Sequence, residues 1–289
     1  MDEIGVRRPP TELLALARAA LQEDVGRGDI TSLVTVTEEA GARARFVARE
    51  ELVVSGLEAA RAVFYEAGGE EISFAALASE GERLAAGSVL AEVEGPARPS
   101  LAAERVALNL LMRLSGIATL TSRYVEAVEG TGASISDTRK TTPGLRLLEK
   151  AAVKAGGGAN HRAGLDDGVL IKDNHLALAG GVTEAVRRAR ENSPHLLKIE
   201  VEVESLGMLE EAIEAGADAV LLDNMTPEEV GEAVGLVRKE APGLLVEVSG
   251  GINLRTVRSY AEAGPDLVSV GALTHSAPAL DLSLTLHPL

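Results

Sequence analysis

The sequence of 289 residues contains no cysteine and no tryptophan, and it has only three tyrosines and three phenylalanines. Without cysteine the chain cannot form disulfides or Cys-based zinc sites, and it has no thiolate nucleophile. So few aromatic rings leave little surface for stacking on bases, and a formal net charge of -16 repels a polyanion. Nucleic acid is therefore not expected as a partner.

Long apolar runs are missing as well. No stretch approaches the roughly 18 consecutive apolar residues of a membrane-spanning helix. The N-terminal sequence MDEIGVRRPP lacks the apolar segment that follows the basic residues of a secretory signal. We therefore expect no membrane partner and a cytoplasmic location, with which the absence of cysteine agrees. Hydrophobic residues still make up 46% of the chain, enough for a substantial core.

Lysine is absent before Lys140. The segment EGERLAAGSVLAEVEG resembles the Gly-punctuated strands of biotinyl or lipoyl carrier domains. Because a carrier needs a lysine at its hairpin tip, this function is excluded, whereas a small sandwich shape stays compatible with the sequence. Upstream, Thr11 is predicted to cap a helix over LLALARAALQED, and strand-like alternation follows in ARARFVA, ELVVSG and EISFAALA.

One basic segment interrupts the general acidity. Between Thr138 and Lys172, seven cationic residues stand against three acidic ones, a formal charge of about +4. The cations are Arg139, Lys140, Arg146, Lys150, Lys154, Arg162 and Lys172. A basic island in an acidic protein indicates a small anionic ligand. The alternative is that these residues form the solvated faces of a helix and its loops.

The second part of the chain is predicted to form an α/β barrel. A long helix from Ser100, interrupted near Ser115-Gly116, is followed by six apolar strands that alternate with amphipathic helices. The strands are ASISDTR, GVLIK, LKIEVEV, AVLLD, LVEVS and LVSVG. This order is typical of parallel βαβ units. Six strands are too few for a complete barrel of this type, so we expect an incomplete barrel or one that other strands help to close.

Charged and small residues follow these strands, where barrel enzymes carry their reactive groups. Glu200 and Glu202 are two apart on one strand, which directs both carboxylates to the same face, expected to be the barrel interior. The other candidates at strand ends are Arg139-Lys140, Lys172-Asp173, Asp223-Asn224, Ser249-Gly250-Gly251 and Gly271.

These residue types have a consistent chemistry. Arg139, Arg162 and Lys172 can pair with carboxylates or phosphates, and His161 can donate a hydrogen bond beside them. Carboxylates such as Glu202 offer hard oxygens for Mg²⁺. The glycine turns after the last two strands can hold phosphate on their backbone N–H groups. The combination predicts a metal-assisted enzyme with two anionic substrates.

Each motif alone also has a purely structural explanation. SGG after a strand is a common turn, and LLDN can be a strand end with an Asx turn. The charged face of EVEVE can lie in solvent. His161, within GGGANHRAG, can simply brace a loop. The functional prediction therefore depends on the whole set.

Six motifs, taken in order, resemble quinolinate phosphoribosyltransferases. They are DTRKTTPGLR at 137–146, GGGANHRAGLDDGVLIKDNH at 156–175, EVEV at 200–203, LLDN at 221–224, EVSGGI at 247–252 and SVGALTHSAPALD at 269–281. The first two motifs are highly specific, and the others add order and spacing across most of the chain.

The resemblance implies an α/β fold with two domains. An N-terminal α/β sandwich would occupy residues 1–112, and the tail at 276–289 would return to it. An open, incomplete α/β barrel of six to seven parallel strands would occupy residues 113–275. The resemblance further implies a homodimer with shared active sites, in which Arg105 reaches the site of the other subunit; a hexamer is left open as a higher assembly.

Carried over residue by residue, the resemblance implies two substrate sites and a Mg²⁺ site. Quinolinate would meet Arg105 of the partner subunit, Arg139, His161, Arg162 and Lys172. Phosphoribosyl pyrophosphate would meet Lys140, Glu202, Asp223, Ser249, Gly250, Gly251, Val270, Gly271 and His275. Mg²⁺ would be held by Glu202 and Asp223, with Glu200 and Asp173 as further candidates. The implied catalytic residues are Lys140, Glu202 and Asp223.

The implied reaction transfers phosphoribosyl to quinolinate with decarboxylation, and it yields nicotinate mononucleotide for NAD biosynthesis. Two alternatives stay open at the level of sequence. Lys172, at a strand end, can be the Schiff-base lysine of a barrel aldolase. A paralogue with the same fold can instead bind another heteroaromatic acid. The cluster of cations favours anionic substrates over the aldolase.

Overall fold

The structure, a computed structural model, describes residues 8–289; the first seven residues of MDEIGVRRPP lie outside the described range. Its helices are α1 (Thr11–Val25), α2 (Ile30–Thr35), α3 (Leu57–Gly68), α4 (Ala97–Ala127), α5 (Arg146–Ala155), α6 (Asp173–Ala179), α7 (Val182–Asn192), α8 (Leu206–Glu214), α9 (Pro227–Glu240), α10 (Val257–Glu262) and α11 (Ala272–His275). Among the described residues, no helix combines the length and apolar character that a membrane crossing requires.

The strands are β1 (Gly41–Ala48), β2 (Leu52–Val53), β3 (Ser73–Ala76), β4 (Arg83–Leu84), β5 (Val89–Pro96), β6 (Ser134–Ser136), β7 (Val169–Ile171), β8 (Ile199–Val203), β9 (Ala219–Asp223), β10 (Leu245–Ser249), β11 (Leu267–Ser269) and β12 (Leu282–Pro288). A short 3₁₀ helix at Gly69–Glu71 follows α3.

The chain divides into two compact units. The first extends to Leu120 and also includes Pro143–Gly157 and Ala277–Leu289. The second comprises Thr121–Thr142 and Gly158–Ser276. Helix α4 therefore belongs mainly to the first unit and ends in the second, while α5 belongs to the first unit.

An antiparallel sheet in the order β12-β1-β5-β3 forms the centre of the first unit. In β1, Phe46 is fully buried, whereas Arg43 and Arg45 face solvent. The two arginines pair with Glu94 and Glu92 on β5 across the ladder. This alternation is the period-2 pattern expected of a sheet with one buried face.

The three phenylalanines of the sequence form one cluster in this unit. Phe46 on β1, Phe64 on α3 and Phe74 on β3 have ring centroids 5.9 to 6.2 Å apart, within the range of favourable aromatic contacts. The cluster packs helix α3 on the sheet. Burial of such large rings stabilises the unit by several kcal/mol, since truncation of a buried Phe costs about 3 to 5 kcal/mol.

Helix α4 is continuous, so the predicted interruption at Ser115-Gly116 is wrong. Gly116 is a helical residue against which the C-terminal segment packs: a Cβ at this position would lie 1.9 Å from the carbonyl oxygen of Pro278. Ser115 exchanges hydrogen bonds of 3.1 Å with the backbone of Ser55. The small residues therefore allow close packing and do not break the helix.

Helix α1 begins at Thr11 itself, and no side chain caps it. The predicted Thr11 cap is therefore wrong. Pro10 stands at the cap position with φ at −55° and ψ at 147°, and the fixed φ of a proline ring suits the start of a helix.

The second unit contains a parallel sheet in the order β6-β11-β10-β9-β8-β7. Ala159 adds to its β6 edge, where it forms a parallel bridge with Ser136 and accepts a hydrogen bond from Asp137 N–H at 3.1 Å. Helices connect the strands, as in other α/β barrels. The prediction of an open barrel with six to seven strands is confirmed, and the loop at 160–168 connects Ala159 to the opposite edge strand β7.

Candidate active site

A polar pocket of about 250 Å³ lies at the carboxyl ends of the barrel strands. All of its lining residues belong to the second compact unit. They are Thr138, Arg139, Lys140, His161, Arg162, Leu170, Lys172, Glu202, Leu221, Asp223, Glu247, Ser249 and Ser269. Parallel strands bring their carboxyl ends to one face of the barrel, so residues far apart in sequence meet there.

Strand register explains which side chains reach the pocket. Glu202 on β8 pairs with Leu221 on β9, and Asp223 pairs with Ser249 on β10. Paired residues of a sheet point to the same face, so these four side chains share the inner face of the barrel. Because alternate residues share a face, Glu200 also points inward, below Glu202.

The basic island divides between two places. Four of its cations line the pocket: Arg139, Lys140, Arg162 and Lys172. The other three lie on α5 in the first compact unit. Both interpretations of the basic segment therefore apply: four of its cations concentrate positive charge in the pocket, and the other three belong to helix α5.

Arg162 gives one wall of the pocket an excess of positive charge. Its Nη1 donates a 2.8 Å hydrogen bond to the carbonyl of Gly168, while its buried Nε has no hydrogen-bond partner among the described residues. Burial, followed by the charge of Arg139, lowers the pKa of the Arg162 guanidinium, whereas Glu200 and Asp167 raise it. Two neighbouring guanidiniums make this wall suited to an anion.

Carboxylates form the facing part of the pocket. Glu202 is buried and forms an ion pair with Lys172. Burial and then the negative charge of Glu202 raise the pKa of Asp223, while Lys172 and Lys140 lower it. Because these two carboxylates repel each other, a cation between them would be stabilised. Carboxylate oxygens at adjacent strand ends fit Mg²⁺, which usually takes one or two protein carboxylates and the phosphates of a substrate.

The turn after β10 requires glycine at Gly250. Its φ is 102°, and a Cβ there would lie 2.4 Å from the side-chain oxygen of Asn224. Asn224 itself has a φ of 55°, donates from its backbone to the carbonyl of Ser249 at 3.1 Å, and donates from Nδ2 to Asp223 at 2.7 Å. The turns after β9 and β10 therefore support each other directly beside the pocket.

The turn after β11 brings Lys140 beside Gly271 and His275. A Cβ at Gly271 would be 3.2 Å from atoms of both side chains. Thr274 Oγ1 donates a 2.8 Å hydrogen bond to the carbonyl of Lys140, and His275 Nδ1 lies 2.6 Å from Ser276 Oγ. The glycine leaves room for a cation and an imidazole at one turn, a combination that suits phosphate.

A polar layer forms the base of the pocket. His161 Nε2 is 3.3 Å from a Glu200 oxygen and 3.6 Å from a Glu247 oxygen, and Ser269 donates a hydrogen bond to Glu247. Burial and the neighbouring Glu200 raise the pKa of Glu247 to about 7. The fully buried Asp137 accepts a 2.9 Å hydrogen bond from the backbone N–H of His161.

Sequence reasoning missed Asp137, Glu247 and Ser269 as residues of this region. A signal for Glu247 was present: it stands two residues before Ser249 on β10, the same period that selected Glu200 and Glu202. Asp137 gave no such signal, because its partner is a loop backbone that folding brings to it.

Several predicted residues are not among those that line the pocket. Arg105 is exposed on α4, and Asp173 is exposed as the first residue of α6. Val270 is buried, and its N–H donates to the carbonyl of Ser136 at 2.9 Å. Glu200 lies in the polar layer beneath the pocket. Gly250 and Gly251 belong to the turn that follows β10, whereas Gly271 precedes helix α11 and His275 ends it.

Comparison with known proteins identifies the family of the chain. Residues 29–115 match the family model of the quinolinate phosphoribosyl transferase N-terminal domain, and residues 117–285 match that of its C-terminal domain. A human protein named nicotinate-nucleotide pyrophosphorylase (carboxylating) is 42% identical over 287 residues, 99% of this chain and 95% of that protein. A Methanocaldococcus jannaschii protein, named a probable enzyme of the same type, is 46% identical over 277 residues, 94% of this chain and 96% of that protein.

Solved structures show the same architecture. The crystal structure of NadC from Streptococcus pyogenes superposes with a TM-score of 0.92 at 40% identity, over 98% of this chain and 99% of that chain. With both family models matched in order along most of its length, the chain belongs to the quinolinate phosphoribosyltransferase family.

Proposed function

We propose that this chain transfers phosphoribosyl from phosphoribosyl pyrophosphate to quinolinate and releases pyrophosphate and carbon dioxide. The product is nicotinate mononucleotide, an intermediate of NAD biosynthesis. The observation that carries the proposal is a single pocket in which Arg139, Arg162 and Lys172 lie beside Glu202 and Asp223. Membership of the family and the names of the relatives support it.

The cationic wall is the site that we propose for quinolinate. Arg139 and Arg162 carry like charges close together, so a dicarboxylate placed between them removes a repulsion and gains charge-assisted hydrogen bonds. Lys172 adds an ammonium from the end of β7. His161 lines the same pocket beside these cations. A planar aromatic acid with two adjacent carboxylates matches the two guanidiniums and the ammonium.

The acidic side and the turns are the site that we propose for phosphoribosyl pyrophosphate and Mg²⁺. Glu202 and Asp223 would hold the metal together with the pyrophosphate, and bound Mg²⁺ supplies electrostatic stabilisation of the leaving group. Lys140 and Ser249 line the pocket on this side. The turns at Gly250, Gly251 and Gly271 offer backbone N–H groups to phosphate, and His275 at the end of α11 offers an imidazole.

The reaction takes place in two steps. The pyridine nitrogen bonds to C1 of the ribose as the bond from C1 to pyrophosphate breaks, and the electron pair leaves with pyrophosphate. Lys140 neutralises part of that charge, and the carboxylates of Glu202 and Asp223 stabilise the positive charge on the sugar. The new pyridinium then stabilises the electron pair that remains on the ring carbon when carbon dioxide leaves. That carbon takes up a proton.

We further propose a homodimer in which each site is completed by Arg105 of the partner subunit. The support is the position of Arg105, which is exposed on α4 and is not among the residues that line the pocket of its own chain. Most soluble oligomers are symmetric dimers in which each subunit presents the same surface to the other.

A product assay tests the function. The protein is incubated with quinolinate, phosphoribosyl pyrophosphate and Mg²⁺, and nicotinate mononucleotide, pyrophosphate and carbon dioxide are measured. We expect all three products in equal amounts and no product when Mg²⁺ is chelated. Absence of nicotinate mononucleotide at every temperature tested would refute the proposed function, and turnover without added metal would refute the metal requirement alone.

Ligand binding distinguishes the alternatives. Calorimetry should give measurable binding of quinolinate and much weaker binding of nicotinate, which lacks one carboxylate; equal binding of nicotinate or phthalate would favour a paralogue for another acid. The aldolase alternative predicts that borohydride traps a carbonyl substrate on Lys172. Its ion pair with Glu202 argues against this, because an ion-paired ammonium is not a nucleophile.

A further inference from the structure

The inside of this barrel carries an unusual polar layer. Barrel interiors are usually packed with branched aliphatic side chains. Here His161, Glu247 and Ser269 line the base of the pocket and meet Glu200 beneath it, and we call these four residues the carboxylate layer. Glu247 is 2% exposed, although an unpaired buried carboxylate is strongly unfavourable. The layer therefore needs an arrangement of protons and partners that satisfies its members.

Both ring nitrogens of His161 are engaged by the protein. Its Nδ1 accepts a 2.7 Å hydrogen bond from the backbone N–H of Arg162, so the ring proton must reside on Nε2. Nε2 points at the carboxylates of Glu200 and Glu247, at 3.3 and 3.6 Å. The imidazole thus bridges the carboxylate layer and the Arg162 backbone, and in this orientation its Nε2–H faces the carboxylates.

Glu247 is the most buried acidic member of the layer. It accepts a hydrogen bond from Ser269 and forms another with Glu200. The charged and titratable groups around it are Glu200 and His161, and burial together with Glu200 raises its pKa to about 7. A carboxyl that carries a proton can donate to Glu200 and still accept from Ser269, while Glu200 takes the closer contact with His161 at 3.3 Å. This arrangement satisfies all the groups that meet there.

The layer is connected to the substrate side through Arg162. The backbone N–H of Arg162 donates to the His161 ring, and the backbone N–H of His161 donates to the Asp137 carboxylate at 2.9 Å. The Arg162 guanidinium is then tied at Nη1 to Gly168. These contacts hold the start of the 160–168 loop at a point where the barrel wall lacks a regular strand.

A metal site is the competing explanation for this cluster. Ligand atoms of His161, Glu200 and Glu247 all lie within 4.8 Å of one another, close enough to share a metal ion. A metal on Nε2, however, requires that nitrogen to be without its proton. The proton would have to move to Nδ1, against the N–H of Arg162. The hydrogen bond to Nδ1 therefore favours orientation of the ring over metal binding.

We propose that Glu247 is a positioning residue for quinolinate recognition: it orients Glu200, which faces the His161 ring at 3.3 Å, and thereby holds the Arg162 backbone in the orientation that presents the Arg162 guanidinium to the substrate. The inference rests on the proposed quinolinate substrate. It assigns Glu247 a role through its hydrogen bonds to Ser269 and Glu200.

Two substitutions at Glu247 test this role. Glu247→Gln keeps the shape and, with its amide toward Glu200, reproduces the donor and acceptor of the protonated carboxyl. Glu247→Leu keeps similar bulk and removes both. We expect Glu247→Leu to raise KM for quinolinate by about tenfold, the loss of roughly one well-placed buried hydrogen-bonded group, with smaller changes in kcat and in KM for phosphoribosyl pyrophosphate. Glu247→Gln should restore KM to within about threefold of the wild-type value.

Val248→Ala is the matched control, since Val248 is buried on the same strand and on its opposite face. It should lower the melting temperature without a selective change in KM for quinolinate. Wild-type turnover of quinolinate is measured first, so a failure of the proposed function is distinguished from a failure of this inference. If Glu247→Leu does not fold, Ser269→Ala carries the test, with a smaller selective rise expected.

Three results would overturn the inference. The first is an unchanged KM for quinolinate in Glu247→Leu, or in Ser269→Ala if that variant replaces it. The second is an equal loss for both substrates, which indicates a general structural role. The third is inhibition by Zn²⁺ that Glu247→Gln abolishes, which identifies a metal site. Nitrogen-15 NMR of labelled histidine gives an independent readout, since the His161 ring should show one ordered Nε2–H signal in wild type and Glu247→Gln and a signal broadened by ring motion in Glu247→Leu.

Discussion

Lys172 and Glu202 lie at the ends of two neighbouring strands, β7 and β8, and form an ion pair. The lysine side chain is 45% exposed, so solvent screens the pair and its contribution to stability is modest. Its greater importance is in the chemistry, because it joins the cationic wall to the carboxylates. Each member is proposed to serve a different substrate.

Substitution of one residue on each side should separate the two substrate sites. Arg139→Ala should raise KM for quinolinate by roughly 10- to 100-fold, since a charge-assisted hydrogen bond contributes about 1.5 to 3 kcal/mol, and change KM for phosphoribosyl pyrophosphate little. Asp223→Ala should instead lower kcat and weaken the dependence on Mg²⁺. Steady-state kinetics with each substrate varied in turn provides the measurement. Equal small effects from both substitutions would show that the site lies elsewhere.

Glu247 should make stability depend on pH. Its pKa is raised from 4.5 to about 7 in the fold, so between these values the folded chain holds a proton that the unfolded chain releases. This contribution is complete below pH 4.5 and is lost as pH rises through 7. As pH rises over this interval, loss of the contribution lowers the free energy of unfolding by up to about 1.4 kcal/mol per pH unit.

Glu247→Gln removes this contribution, so its stability should decline less steeply than that of the wild type over that interval. Denaturant unfolding at a series of pH values measures the difference. Parallel curves for the two proteins would show that Glu247 is ionised in the folded state. Glu247→Gln is also the conservative variant for the kinetic test, so one protein serves both experiments.

The residues that sequence reasoning could find in the site are those at strand ends. Glu202 and Asp223 were predicted because a period of two and an apolar strand fix the direction of a side chain before the fold is known. Asp137 could not be found in this way, since its role is to accept the N–H of His161, 24 residues away. The polar layer arises from three separate strands and a loop, and only their assembly brings it together.

At the scale of elements, the strands of the barrel were predictable because each is a short apolar run between two amphipathic helices. The segment at Ala159 was not, because GGGAN contains no apolar alternation and its pairing with β6 depends on a single bridge. The prediction of a helix break at Ser115-Gly116 was wrong for a related reason. Sequence alone cannot distinguish a glycine that breaks a helix from one that admits a neighbouring backbone.

Gly116→Ala should destabilise the protein, although alanine is the better helix former. A Cβ at this position meets the Pro278 carbonyl oxygen at 1.9 Å, so backbone must move. We expect a loss of about 1 to 3 kcal/mol in the free energy of unfolding, the usual cost of overpacking. Chemical denaturation gives the value.

Gly235→Ala in α9 is the matched control, because a Cβ there meets nothing within 4 Å. It should stabilise the protein by about 0.5 to 1 kcal/mol, as helix propensity predicts. The two substitutions therefore differ in sign as well as in size. A gain at Gly116 would show that the C-terminal segment does not pack there.

At the scale of the whole molecule, the proposed dimer predicts complementation between inactive chains. Arg105→Ala and Asp223→Ala should each have little activity alone, because each removes a group from every site. In a mixed dimer, one site carries both substitutions and the other carries neither. Random exchange of subunits should then restore about one quarter of wild-type activity.

The measurement is activity after the two variants are mixed under mild dissociating conditions, then returned to native buffer. Arg123→Ala, at an exposed position on α4 that has no proposed role, replaces Arg105→Ala in the control mixture. Because it is expected to be active alone, that mixture should show no gain over its parts. No recovery in the test mixture, despite proven exchange, would argue against a shared site.

The last strand, β12, pairs with β1 along Ala42–Ala48, and the whole barrel lies between them in the chain. During synthesis, β1 therefore lacks its hydrogen-bonding partner β12 until every barrel strand has been translated. Over that interval the exposed edge of β1 can pair with other strands. A premature stop codon within the barrel would leave that edge permanently exposed, so nascent chains of this protein should depend on chaperones that shield strand edges.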